Sequence, residues 1–138
     1  MENHKQWGHG PWEAEPNEVV WNDEVTGLPC LIVRDTFGYL SGFVGVQENS
    51  RYHGMGAGEV FFSTHGGVAA AGRKSSDPLR RGLWWFGFDC AHHLDVVPGL
   101  PGQSGEYRDI DYVRTECSKL ATQIAAPPVE AVAGGGVG

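Results

Sequence analysis

Basic side chains are scarce in this chain of 138 residues: 10 Lys and Arg stand against 17 Asp and Glu, a formal net charge of −7. A surface of that sign repels duplex phosphate unless it hides a basic patch, which argues against nucleic acid as a partner. Long apolar runs are also missing. None approaches the roughly 18 residues that span a bilayer, and no charged-then-apolar leader opens the chain. No membrane partner is expected, and the reading is a soluble, cytoplasmic protein. Cysteine is limited to Cys30, Cys90 and Cys117, an odd count with no close pair. A disulfide framework in a short chain would show an even count, so reduced thiols in a cytoplasm are expected. Neither a Cys-x-x-Cys pair nor a His-Glu-x-x-His helix occurs, which removes the strongest zinc signatures.

What remains is the composition of a globular protein, 41% hydrophobic and 20% charged, with a length suited to one domain. The 21 glycines fall largely in turns and strands and point away from a helical bundle. Charge is unevenly spread. Residues 1–50 carry eight acids against two bases, whereas residues 51–100 carry four against five.

Along the chain, residues 1–17 have two prolines and no periodicity, and read as an extended arm that Trp7 and Trp12 can anchor. Val19–Trp21, Leu28–Arg34 and Tyr39–Val46 read as strands separated by turn residues, in the spacing of an antiparallel meander. Residues 47–58 form a polar loop anchored by Tyr52, His53 and Met55. Glu59–His65 and Val68–Ala71, either side of Gly66 and Gly67, read as a glycine-interrupted strand pair or a bulged strand. Residues 72–81 make a basic loop with Arg73, Lys74, Arg80 and Arg81. Leu83–Phe88, nearly all apolar, reads as a strand buried on both faces. Ile110, Val113, Cys117, Leu120, Ala121 and Ile124 fall on one stripe of a helix over residues 108–126, stopped by Pro127-Pro128. The Gly/Ala tail, 127–138, reads as disordered. The expected fold is therefore α+β: an antiparallel, strongly twisted sheet of about five strands with one C-terminal helix packed on it, occupying residues 18–126.

The chemistry concentrates where the Leu83–Phe88 strand ends. Asp89, Cys90, His92, His93 and Asp95 lie within seven residues, and His65 sits beside a Gly-Gly turn that leaves its imidazole accessible. Three chemistries use these groups. Zinc could take three ligands from His65, His92, Asp95 and Cys90, leaving a position for water. Cys90 could act as a nucleophile activated by His92 or His65 and oriented in turn by Asp89 or Asp95. A small anionic ligand could be held by His65, Gly66, Gly67 and Trp85, with Arg73 and Arg80 supplying positive charge. The plain alternative is that Cys90 fills the core, Asp89 caps a turn and the histidines are surface residues.

The segments Leu28-Pro-Cys-Leu-Ile-Val-Arg34, Leu40-Ser-Gly-Phe-Val-Gly-Val46, His65-Gly-Gly67, Trp84-Trp-Phe-Gly-Phe-Asp-Cys-Ala-His92 and Tyr107-Arg-Asp-Ile-Asp-Tyr-Val113 resemble one family of small proteins encoded mainly by bacteriophages and prophages. The resemblance covers roughly residues 12 to 125 and attaches no reaction. It implies a phage-type accessory protein in a bacterial host cytoplasm. The residues of the candidate site, with no strong catalytic signature among them, point to binding of a small anionic ligand or a host protein. The alternative is a small metal- or thiol-dependent hydrolase using the same site. The chain departs from the family after Val46, where relatives carry a Pro-Gly-His-Pro-type segment and this sequence has Asn49-Ser-Arg-Tyr-His-Gly54.

Overall fold

A computed structural model describes residues 5–74, 82–100, 102 and 104–127. It contains one antiparallel five-stranded sheet and one C-terminal helix, the α+β arrangement expected. The strands are β1 (Glu18–Asn22), β2 (Pro29–Arg34), β3 (Leu40–Val46), β4 (Ala70–Gly72) and β5 (Trp84–Asp89), in the order β1-β2-β3-β5-β4. Helix α1 spans Ile110–Ala125. β1 to β3 form a meander, and the chain then leaves the sheet before returning through β4 and β5. β3 is thus the middle strand, and β5 lies second from an edge. Among the described residues, no helix is long and apolar enough to cross a membrane.

Side-chain alternation gives the sheet two unlike faces. Cys30, Ile32, Leu40, Val44, Val46, Phe86 and Phe88 join Val113, Cys117, Leu120, Ala121 and Ile124 of α1 in the main core. The helix can sit this close because position 42 has no side chain. A Cβ there would lie 2.6 Å from Phe88, 2.8 Å from Val113 and 2.9 Å from the Cys117 sulfur. Asp109 caps α1, its carboxylate accepting from the Tyr112 N–H at 2.9 Å. The opposite face carries a smaller cluster of Leu31, Leu83 and Trp85, with Val33 and Phe43 against it.

Two expectations about local structure are corrected. Residues 5–17 are not an extended arm: Lys5–Trp7 and Pro11–Ala14 form 3-10 turns. Trp12 is buried, edge-on to Tyr107 at 5.1 Å, and its indole N–H donates to the Gly8 carbonyl. Glu15 then ties this segment to the start of α1, accepting from Tyr107, from Arg34 and from the Ile110 N–H. The second correction concerns Glu59–His65, which is not a strand. Ala57–Glu59 is a 3-10 turn, and the backbone of Ser63 bonds to the side-chain amide of Gln123 in both directions, at 2.6 Å each. A helix side chain thus supplies what a neighbouring strand would. Phe62 turns inward onto Phe86 and Tyr52, while Phe61 is left in solvent. The expected Gly/Ala tail lies, beyond Pro127, outside the described residues.

Candidate functional site

β5 ends at Asp89, and the chain turns sharply through residues 90–95. Cys90 is drawn into the core, its N–H bonded to the Leu40 carbonyl. Burial first, and then the charges of Asp95 and Asp89, push its thiol well above the ordinary cysteine range. A thiol held protonated in this way is a poor nucleophile at neutral pH. Cys30 and Cys117 are likewise free and buried.

Asp95 is the pivot of the turn. Its side chain is 1% exposed and accepts from His65 Nε2 at 2.8 Å, Arg108 Nε at 2.9 Å and the His92 N–H at 2.9 Å. Burial by itself would raise its pKa, but these three donors outweigh it and hold the carboxyl below the usual range. The ionised carboxylate can only accept, so His65 Nε2 carries the proton. His65 Nδ1, on the other side of the ring, lies 2.7 Å from the Tyr112 hydroxyl. Arg108 also bonds Glu106 at 2.8 Å and lies 4.8 Å from the centre of the Tyr112 ring. A buried carboxylate, an imidazole and a phenol therefore form one hydrogen-bonded line, with a guanidinium beside it.

His92 completes the cluster. Its ring centre is 5.7 Å from that of His65, and its Nε2 lies 3.2 Å from Asp89. The approach depends on Gly66, which has a φ of 71° and whose missing Cβ leaves the space that the His92 imidazole occupies. His65, Asp89, His92 and Asp95 are thus brought together. Each imidazole has its own carboxylate, and the turn Thr64–Gly67 is closed by a Gly67 N–H bond to Thr64.

Next to this cluster is a cavity of about 440 Å³, walled by Phe37, Tyr39, Ala91, His92, His93, Leu94, Val97, Leu100, Gly102 and Ser104. Leu94 has a φ of 74°, the left-handed region, and its side chain is exposed. Such a conformation costs a non-glycine residue about 1–3 kcal/mol and persists only where neighbours impose it. Here the Leu94 carbonyl accepts from the Glu106 N–H, and Val96 donates to the Glu106 carbonyl.

Other expected members lie elsewhere. Gly72 pairs with Trp85, so the following Arg73 and Lys74 leave the sheet at the start of β5. About 16 Å of strand separates that end from the histidines. Lys74 lies 3.9 Å above the Phe43 ring on the face away from the helix, and Trp85 belongs to that face as well. Arg80 lies outside the described residues. For metal, among the described residues no group of three His, Cys, Asp or Glu side chains is arranged to hold an ion. His65, His92 and Asp95 are close, but both His65 nitrogens and both Asp95 oxygens already have partners. Sequence reasoning passed over Tyr112 and Arg108. Their i, i+4 spacing at the start of the expected helix, on the side away from its apolar stripe, was the available signal.

Comparisons with protein-family models, with curated proteins and with solved structures found no match.

Proposed function

We propose that this is a phage-type accessory protein of the bacterial cytoplasm that binds a small anionic ligand in the cavity at the end of β5. The observation that carries the reading is the pairing of two imidazoles, His92 and His93, with the apolar walls Phe37, Leu94 and Leu100 around one 440 Å³ space. Cavities of this size, mostly apolar with a few fixed polar groups, are the usual shape of small-molecule sites. An imidazole ring meets an anion as a hydrogen-bond donor and, when protonated, as a charge. Phe37 and Tyr39 supply flat surfaces for a ring. The Asp95–His65–Tyr112 line sits behind the cavity and fixes His92 through its backbone N–H, so the binding groups are set before a ligand arrives. The protonated, buried Cys90 and the engaged His65 nitrogens weigh against the thiol- or metal-dependent hydrolase.

Phenyl phosphate offers both a ring and an anionic head, and inorganic phosphate offers the head alone. Titration of either into labelled protein is expected to move the His92 and His93 ring signals saturably, phenyl phosphate at lower concentration. His92→Ala should weaken binding about tenfold, the 1.4 kcal/mol typical of one charge-assisted hydrogen bond. The His92 side chain is 40% exposed, so the fold should survive the change. Unmoved imidazole signals at millimolar phenyl phosphate, or equal binding by the variant, would remove the reading.

A further inference from the structure

The two edges of the sheet are unlike. β4 is three residues long, Ala70–Gly72, and covers only part of β5. β1 is a regular strand of five, Glu18–Asn22, at the other end of the strand order. Open edges in folded proteins are commonly blunted by a proline, a lysine or a bulge, because their free backbone groups recruit other chains. Glu18-Val-Val-Trp-Asn22 contains no proline and no lysine, and its ladder to β2 runs through consecutive pairs without a bulge.

The ladder fixes which backbone groups are free. The Arg34 N–H donates to the Asn17 carbonyl at 2.9 Å, and the Asp23 N–H to the Leu28 carbonyl at 2.8 Å. Bonded and non-bonded pairs alternate in an antiparallel ladder, so Asn17, Val19, Trp21 and Asp23 turn their backbone groups toward β2. Glu18, Val20 and Asn22 turn theirs outward, and among the described residues none of these groups has a partner. The side chains alternate as well. Val19 and Trp21 pack on the main core, whereas Glu18, Val20 and Asn22 are exposed on the other face, Val20 by 49%.

A second copy of the chain can complete such an edge if a two-fold axis gives a sound register. Three antiparallel registers overlap most of the strand and match outward groups to outward groups. Centred on Val19, Asn22 meets Pro16, which has no N–H and whose carbonyl already accepts from Arg34. Centred on Trp21, Glu18 meets Glu24, carboxylate against carboxylate. Centred on Val20, every outward group is used: Val20 meets Val20 of the second copy, and Glu18 meets Asn22 on either side of it. Each of these pairs exchanges two backbone hydrogen bonds. The register also sets each carboxylate beside an amide that can donate to it, and closes two exposed valines on each other. Helix α1 packs mainly over β3, two strands or about 10 Å from the edge, so the helices of two copies stay clear of the seam.

We infer that β1 is a dimerisation edge, through which two copies pair antiparallel over Glu18–Asn22 about a two-fold axis at Val20. The two five-stranded sheets then form one continuous sheet with both helices on the same face. A seam of one strand per copy falls below the ~1,200 Å² of a standard interface, and the charge of −7 on each copy opposes it. A dissociation constant of about 0.1 mM is therefore expected. The seam shares no residue with the cavity at the end of β5, so dimerisation and anion binding are tested independently.

Sedimentation equilibrium from about 10 µM to about 1 mM protein should show a monomer–dimer equilibrium. Val20→Lys and Val20→Glu change an exposed side chain, and each sets like charges opposite one another at the axis. Either variant alone should associate at least tenfold more weakly than the native chain. Mixed in equal amounts, the two should recover association, since lysine then meets glutamate, and that recovery shows both variants to be folded. The inference is overturned if the native chain is monomeric at about 1 mM, if either variant alone associates as the native chain does, or if the mixture associates no better than its components.

Discussion

Replacing Asp95 with asparagine tests the network on which the whole β5 end depends. In the native chain, one carboxylate takes three donors: His65 Nε2–H, Arg108 Nε–H and the His92 backbone N–H. Asparagine keeps one oxygen and presents an NH₂ where a donor already points. His65 can adapt, since an imidazole nitrogen can also accept; Arg108 cannot, because guanidinium only donates. Removing one member of a buried ion pair costs about 3–5 kcal/mol. Arg108 keeps 22% of its side-chain surface in water and has Glu106 at 2.8 Å, so the lower end, about 3 kcal/mol, is expected. At a urea dependence of about 2 kcal/mol per M, the unfolding midpoint should fall by about 1.5 M. The pH dependence has a definite sign. The folded-state pKa of Asp95 is depressed below that of the unfolded chain, about 3.9. Its contribution is therefore fully present above that value and is lost as pH falls through the lower, folded pKa. The gap between native protein and variant should be constant from neutral pH to about pH 5 and should close in stronger acid. A midpoint change below about 0.3 M, or a gap that widens in acid, would refute the reading of Asp95 as an ionised hub.

Three further outcomes are expected. Leu120→Ala, at a fully buried position under the sheet, should cost about 2–5 kcal/mol by urea denaturation, and a cost within error would mean that α1 does not dock through this stripe. Gly66→Ala should cost at least the ~1–2 kcal/mol of a left-handed alanine and displace the His92 ring, seen as a changed His92 imidazole signal; an unchanged signal would mean that the ring does not pack on Gly66. A thiol reagent at pH 8 should label none of the three cysteines in folded protein and all three in denaturant, whereas rapid labelling of Cys90 in the native state would restore it as a candidate nucleophile.

The sheet and helix were legible because local signals agreed with the fold. Asn22-Asp23-Glu24 and Asp35 to Gly38 supply turn chemistry between runs of β-branched residues, and Ile110 to Ile124 keep one apolar stripe. Glu59–His65 misled because Val60, Phe61 and Phe62 favour strands on propensity. The partner that satisfies Ser63 is a glutamine side chain 60 residues away, which no local pattern announces. Trp84 and Trp85 illustrate the same limit. Alternation requires them to face opposite sides, but only the docking of α1 decides that Trp84 joins the main core and Trp85 the open face. At the site, a strand running into Asp89, His92 and Asp95 beside the His65 turn was readable from residue chemistry. Tyr112 and Arg108 were not, since nothing local says which turn of a helix will meet a loop 47 residues earlier.

The bond from Glu15 to the Ile110 N–H joins residues 95 apart, and that from Tyr107 to Glu15 joins residues 92 apart. During synthesis Glu15 leaves the ribosome early and must wait for nearly the rest of the domain before its partners exist. Until then Arg34, buried beside Glu15 in the finished protein, has no Tyr107 hydroxyl to meet, and the apolar face of β2 and β3 has no helix above it. Contacts so distant in sequence slow folding, since the chain must close a long loop before they stabilise anything. The segment around Trp12 should accordingly stay open to protease in stalled nascent chains that end before residue 107 and become protected once residue 125 has emerged.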